Sequence, residues 1–148
     1  MGAPLKTYDL LSVFLIVNGE RITGFAEDDA ISFENGADIV EHAAGADGQV
    51  TVSRSNDKRL IATITLAETS LAYKQLGAQL QAQEAEASIQ RREFLLIDNI
   101  SGDRVSDEFA TFISRPVLDK GRTFGTREFQ ILLPNGAENM KYGTNIAQ

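Results

Sequence analysis

The chain has 148 residues, of which 43% are hydrophobic and 24% charged, a composition typical of one folded domain and not of a disordered segment. The absence of cysteine excludes disulfides, thiolate metal sites and cysteine nucleophiles. A formal net charge of −7 is the opposite of the basic footprint of a nucleic-acid-binding protein. We expect no membrane anchor, because the longest apolar run, residues 10–17, is far shorter than the about 20 residues that span a bilayer. We also expect no signal peptide, because Lys6 is not followed by an apolar segment with a small-residue cleavage site.

The first third of the chain is predicted to consist of β-strands joined by tight turns. Residues 10–17 form an apolar run typical of a buried strand. Asn18-Gly19 would supply the positive φ angles of a hairpin turn, with a return strand over 20–24. Residues 29–34 alternate again, and Asn35-Gly36 ends that strand.

A long polar segment follows. From residue 37 to 48 the hydrophobic signal nearly vanishes, apart from Ile39 and Val40. A dozen such residues is long for a hairpin connection, so we predict a functional loop that ends in a shaped turn at Gly45-Ala46-Asp47-Gly48. The sheet is expected to resume at Val50 and Val52, and residues 60–66 form the clearest alternating strand.

At the start of the second half, the spacing of apolar residues changes from that of a strand to that of a helix. Good helix formers predict a helix over 70–88, capped by Thr69 or Ser70. Arg91-Arg92 is expected at its carboxyl end, where cations match the helix dipole, or equally in contact with carboxylates of an adjacent subunit. Further strands are predicted at 93–98, 108–114 and 126–133, followed by a loose tail over 135–148. The pattern predicts a mainly β (α+β) fold in a single domain over 1–148: an antiparallel β-barrel or sandwich of seven or eight strands, with one helix packed on its side.

Few residues offer catalytic chemistry. His42 is the only histidine and, in a polar loop, is interpreted as a surface residue. The cluster Glu27-Asp28-Asp29 would suit a divalent cation, but its spacing does not match a calcium loop and a solvated turn is favoured. Phosphate-binding and nucleophile-elbow motifs are absent. We therefore predict no catalytic, cofactor-binding or metal-binding residues, and no enzyme activity.

The order of elements from Ile31 to Leu80 resembles the tail tube proteins of contractile-tailed bacteriophages, a fold shared with the tube subunits of type VI secretion and pyocin particles. The similarity is best at Ile31-Ser32-Phe33-Glu34, at Gly45-Ala46-Asp47-Gly48, and where the strand over 60–66 leads into a helix at Ser70. The resemblance implies a structural virion protein of the phage tail, made in the host cytoplasm. Its copies would form stacked hexameric rings that enclose the conduit for DNA ejection.

The resemblance also implies partners and sites. Besides its own copies, the subunit would contact sheath, tape-measure and baseplate proteins, while DNA passes without specific binding. A long loop over 35–48 would reach the adjacent ring, through Asn35, Gly36, Ala37, Asp38, Gly45, Ala46, Asp47 and Gly48. Lumen positions would be polar and partly acidic, since attraction to phosphates would stall DNA. The candidates are Glu34, Asp38, Asp47, Ser53 and Asp57.

Three alternatives remain at this point. The chain would equally suit the tube of a phage-derived secretion or bacteriocin particle, which carries no genome. From another class, it would suit a soluble β-barrel that binds a small ligand or peptide, with the long loop as its lid. The third alternative is an enzyme that uses the carboxylates of Glu27, Asp28 and Asp29.

Overall fold

The computed structural model of this protein describes residues 13–26, 29–88, 90–118, 120–121 and 125–143. Ten strands and two helices lie in this part of the chain. In chain order they are β1 Val13–Val17, β2 Glu20–Ile22, β3 Ala30–Asn35, β4 Val40–Ala44, β5 Val50–Arg54, β6 Leu60–Ala67, α1 Leu71–Glu84, β7 Phe94–Asp98, β8 Arg104–Asp107, β9 Thr111–Ser114, β10 Thr126–Leu133 and α2 Gly136–Asn139.

Eight strands form two four-stranded sheets. Sheet 1 has the order β2-β1-β7-β8 and sheet 2 the order β3-β6-β10-β9, and every strand pair is antiparallel. The described strands do not join into a closed barrel. The predicted mainly β fold with one substantial helix is confirmed, with two separate sheets in place of a barrel.

The core lies between the buried faces of these sheets and α1. Alternate residues of β1 and β6 are buried, as a period of two requires. The helix contributes Ala72, Leu76 and Leu80 to the same cluster. Phe33 of sheet 2 meets Phe94 of sheet 1 edge to face, with ring centroids 6.3 Å apart.

Two local predictions are confirmed. Asn18 and Gly19 have φ angles of +52° and +80°, which match a tight hairpin turn between β1 and β2. Ser70 caps α1, since its hydroxyl accepts a hydrogen bond from the backbone N–H of Ala72 at 3.2 Å.

Other predictions of local structure were wrong. The segment over 37–48 is not an irregular loop but contains β4, which pairs with β5 in a separate two-stranded sheet. The helix ends at Glu84 instead of Ser88, and its last turn contains no apolar residue larger than alanine to pack on a sheet. The predicted strand over 108–114 is β9 alone, and β8, just before it, was not predicted.

Two further corrections concern the second half. Arg92 does not end a helix: it lies in a parallel bridge to Phe109 and is buried, with an ion pair to Glu86 at 2.9 Å. Residues 136–143 are not a loose tail, because α2 packs against β8 and Lys141 exchanges two backbone hydrogen bonds with Arg104. The remainder of the predicted tail, residues 144–148, and the start of the first strand, residues 10–12, lie outside the described residues.

Candidate assembly surfaces

Strands β4 and β5 form a hairpin that belongs to neither main sheet, and all ten of their residues are exposed. Residues directly opposite in an antiparallel pair share a face. One face of the hairpin therefore carries Val40, Val50 and Val52, together with the smaller or polar Ala44, His42 and Arg54. The other face carries Glu41, Ala43, Thr51 and Ser53. The hairpin thus presents an apolar face on which Val50 and Val52 are largely exposed.

The hairpin tip is a closed turn over 45–49. Gly45 donates its backbone N–H to the carbonyl of Gln49 at 2.7 Å, and Gly48 has a φ of +84°. The Asp47 carboxylate accepts the backbone N–H of Gln49 at 3.1 Å. The predicted tetrad is therefore a shaped turn, and it places four of the eight predicted interface residues at the outermost point of the hairpin. The other four, Asn35, Gly36, Ala37 and Asp38, lie at the hairpin base.

The hairpin base is fixed where it joins sheet 2. Gly36 donates its backbone N–H to the carbonyl of Arg59 at 3.0 Å, which continues the β3–β6 register by one pair. The Asp57 carboxylate accepts hydrogen bonds from the Arg59 guanidinium at 2.6 and 2.9 Å and from the Arg59 backbone N–H at 3.0 Å. These contacts hold the pKa of Asp57 below its ordinary value; the guanidinium contact has the largest effect and the backbone hydrogen bond the next largest.

The outer face of sheet 2 is polar and acidic. The register places thirteen residues of its four strands there: Ala30, Ser32, Glu34, Ile61, Thr63, Thr65, Ala67, Thr111, Ser114, Thr126, Glu128, Gln130 and Leu132. Two of these are glutamates and none is lysine, arginine or histidine. This face would repel a polyanion.

The outer face of sheet 1 has the opposite character. Phe14 and Ile16 of β1 stand opposite Ile97 and Leu95 of β7, and all four are only half-buried. The Arg21 guanidinium lies over the Phe14 ring, 4.4 Å from its centroid. One side of the subunit is thus polar and acidic, whereas the other carries an apolar patch flanked by Arg21 and Arg104, of a kind that marks contact surfaces between proteins.

The four edges of the two sheets are not equally accessible. The Gln75 side chain of α1 accepts the Thr23 N–H at 2.8 Å beside β2, and the Gln83 side chain bonds Phe112 of β9. On β8, Lys141 pairs with Arg104. Only β3 carries no such cover within the described part of the chain. Because Gly36 and Arg59 form a hydrogen-bonded pair, the alternation of the ladder leaves the N–H and C=O of Ile31, Phe33 and Asn35 facing outward.

The predicted site residues separate into distinct groups. Of the five lumen candidates, Glu34 alone lies on the outer face of sheet 2. Asp38, Asp47 and Ser53 belong to the hairpin and its connection, and Asp57 is held by Arg59. The other acidic residue of the polar face, Glu128, was not predicted, since its position follows only from the pairing of β10 with β6, in which Glu128 is opposite Thr65, 63 positions earlier in sequence.

Of the three carboxylates in the predicted enzyme alternative, the structure describes Asp29 alone. Asp29 is buried, and its two carboxylate oxygens accept the N–H groups of Ala26 and Ala67, each at 2.7 Å. Glu27 and Asp28 lie outside the described residues. Among those that are described, no group of three His, Cys, Asp or Glu side chains has metal-binding geometry, and no helix is long and apolar enough to cross a membrane.

A cavity of about 230 Å³ lies between the two sheets, near β3. Its wall is largely apolar and includes Phe33, Leu96 and Met140, with Asp98 and Asp103 among its polar residues. This volume is below the usual range of about 300–1,000 Å³ for ligand pockets. No hairpin residue contributes to the wall, so the hairpin is not a lid over this cavity.

Solved structures that share this fold include the following two. One is the tail of an empty GTA particle, solved with C6 symmetry; it matches with a TM-score of 0.53 and 14% identity, over 88% of this chain and 92% of that one. The other is the sheath/tube terminator of PVC, an extracellular contractile injection system, in its extended state; it matches with a TM-score of 0.50 and 9% identity, over 88% and 95%. No protein-family profile and no curated protein sequence matches the chain. The similarity to tail and tube-terminator folds confirms the fold predicted from the resemblance.

Proposed function

We propose that this chain is a structural subunit of a tail-like tube, in which copies associate side by side into hexameric rings and the rings stack. The observation that carries the proposal is the hairpin, whose ten strand residues are all exposed although one face is apolar. A lone two-stranded hairpin is at best marginally stable in water. The hairpin therefore needs a surface to pack on, and a subunit of the adjacent ring provides one. The interface residues predicted at its tip, Gly45 to Gly48, then make the first contact.

The two outer sheet faces give the subunit an orientation in the wall of the tube. The polar face of sheet 2, with Glu34 and Glu128, lines the channel, and the apolar outer face of sheet 1 lies among neighbouring proteins. A lining without cations does not bind phosphates, so DNA moves through without specific binding. In this orientation the uncovered edge of β3 extends the sheet into the next copy.

The C6 symmetry of the GTA tail supports six copies in each ring. The sheath/tube terminator supports a sheath as the outer partner. We extend the proposal to tape-measure and baseplate proteins as the remaining partners in a virion tail, with DNA ejection as the role of the channel. The same subunit would serve a secretion or bacteriocin particle, in which no genome passes.

The similarity to a terminator favours a second candidate, a protein that caps a finished tube. A capping subunit would form single rings and stop there, whereas a tube subunit adds rings without limit because its contacts along the axis do not close. The two roles therefore differ in the length of the assemblies that the pure protein forms.

The test compares the natural chain with a variant that lacks the hairpin. Residues 37–58 are replaced by Asn-Gly, which joins the existing pair Gly36 and Arg59 through a two-residue turn. Negative-stain electron microscopy at rising protein concentration should show tubes of uniform width for the natural chain and single rings for the variant. Rings alone from both chains would favour the terminator. Long tubes from the variant, or monomers of the natural chain at every concentration, would refute the proposal.

A further inference from the structure

Gln83 occupies the edge of sheet 2 that a neighbouring strand would use. Its side-chain oxygen accepts the Phe112 backbone N–H at 2.8 Å, and its side-chain nitrogen donates to the Phe112 carbonyl at 3.0 Å. A primary amide thus makes both hydrogen bonds that one residue of an added β-strand would make. In the free subunit, the Gln83 amide therefore occupies backbone groups at the β9 edge that a paired strand would otherwise bond.

This cover is attached by polar contacts alone. The buried residues of α1 are Ala72, Leu76, Gln79 and Leu80, and none lies in the last turn, residues 81–84. That turn is held by Gln83 and by the exposed ion pair of Glu84 with Arg115, at 2.6 Å. Exposed ion pairs contribute only about 0–1 kcal/mol. The last turn of α1 can therefore move without exposing a buried apolar side chain, but its movement must also break the contact between Gln83 and the buried Arg92.

Two further contacts shape the site. Arg92 donates to the Gln83 oxygen at 3.3 Å and to Glu86 at 2.9 Å, so the amide is held with its oxygen towards Arg92 and the Phe112 N–H. An open cleft of about 410 Å³ separates α1 from β9, lined by Leu80, Gln83, Glu84 and residues 112–115. Movement of the last turn away from β9 would widen this cleft without disturbing the packing of the hydrophobic core.

We propose that the last turn of α1 is a latch, which covers the β9 edge of the free subunit and releases it when β3 of a neighbouring copy pairs there. This inference rests on the proposed function. Of the two edges of sheet 2, β3 is uncovered and β9 is latched, so a subunit offers one ready edge and one that must be opened. The latch sets a threshold concentration below which subunits remain apart, and it protects β9 from pairing with unrelated strands.

The test measures the critical concentration for tube formation by sedimentation, with matched glutamine variants. Q83A removes both latch bonds and should lower the critical concentration about thirtyfold, since two bonds with a net worth of about 1 kcal/mol each sum to about 2 kcal/mol. Q83E keeps the oxygen for Phe112 and Arg92 but loses the donor to the Phe112 carbonyl, so a smaller decrease is expected. The control is Q75A, which removes the equivalent cover from β2 of sheet 1 and should leave the critical concentration within about twofold.

Amide hydrogen exchange gives an independent measure on the free subunit. The Phe112 amide should be protected in the natural chain and should exchange faster in Q83A. A critical concentration that is unchanged or raised in Q83A, while the natural chain forms tubes, would overturn the latch and leave the proposed function intact. Tubes from Q83A at concentrations where the natural chain stays monomeric would support the latch. Failure of all four chains to assemble at any concentration would overturn both proposals.

Discussion

Asp29 lies 38 positions before Ala67 in sequence, and its carboxylate accepts the Ala67 backbone N–H at 2.7 Å, where β6 leads into α1. Its second oxygen accepts the N–H of Ala26 at the same distance. One buried side chain thus connects the start of β3, the segment before it and the end of β6. This use of both oxygens identifies Asp29 as a structural residue and not as a reactive carboxylate.

Replacing Asp29 by asparagine should destabilise the fold by about 2 kcal/mol, since one of two buried acceptors becomes an NH₂ group facing a backbone N–H. Urea denaturation measures the change. Asp38→Asn is the matched control on an exposed carboxylate and should stay within about 0.5 kcal/mol. A D29N variant as stable as the natural chain would contradict the structural role of this carboxylate.

A second prediction concerns pH at the hairpin base. The pKa of Asp57 is lowered from 3.8 by the Arg59 guanidinium. Because the pKa is lower in the folded state, the contact stabilises the fold fully at any pH above the pKa of the unfolded chain. This contribution is lost as the pH falls through the pKa of the folded chain. The hairpin base should therefore loosen only in acid, below a pH of about 4.

An NMR titration of the Asp57 carboxyl carbon checks this. The midpoint should lie below 3.8 in the natural chain and rise towards it in Arg59→Gln. An identical Asp57 midpoint in the two chains would show that Arg59 is not the cause of the shift.

The sequence predicted those elements whose pattern reflects burial within the subunit. Every second residue of β6 is buried, so its alternation was visible, as was the change of period at Ser70. Strand β4, Val-Glu-His-Ala-Ala, has no residue buried within the subunit. An apolar alternation arises where one face of a strand packs on a core, so β4 shows none and was interpreted as loop.

Long-range pairing explains the remaining differences. Whether a residue such as Glu128 lies on the polar face depends on the register of β10 against β6, which no local pattern contains. Arg92 was assigned to a helix end from its neighbours in sequence, whereas its position is set by Phe109 and Glu86. In β8, Val105 is the only apolar residue, too little for a period to be recognised.

The last prediction concerns the apolar face of the hairpin. Val50 and Val52 are 64% and 62% exposed, so the double variant V50T/V52T should change the free energy of unfolding of the subunit by less than about 0.5 kcal/mol. If this face packs on the adjacent ring, loss of two buried valines at each contact should shift the balance from tubes to single rings, at about 1 kcal/mol or more for each valine. The control T51S/S53T alters the opposite face of the same strand and should leave tube length unchanged. Electron microscopy of the three chains at equal concentration measures the length of the tubes. Tubes of V50T/V52T as long as those of the natural chain would show that the apolar face is not the contact between rings.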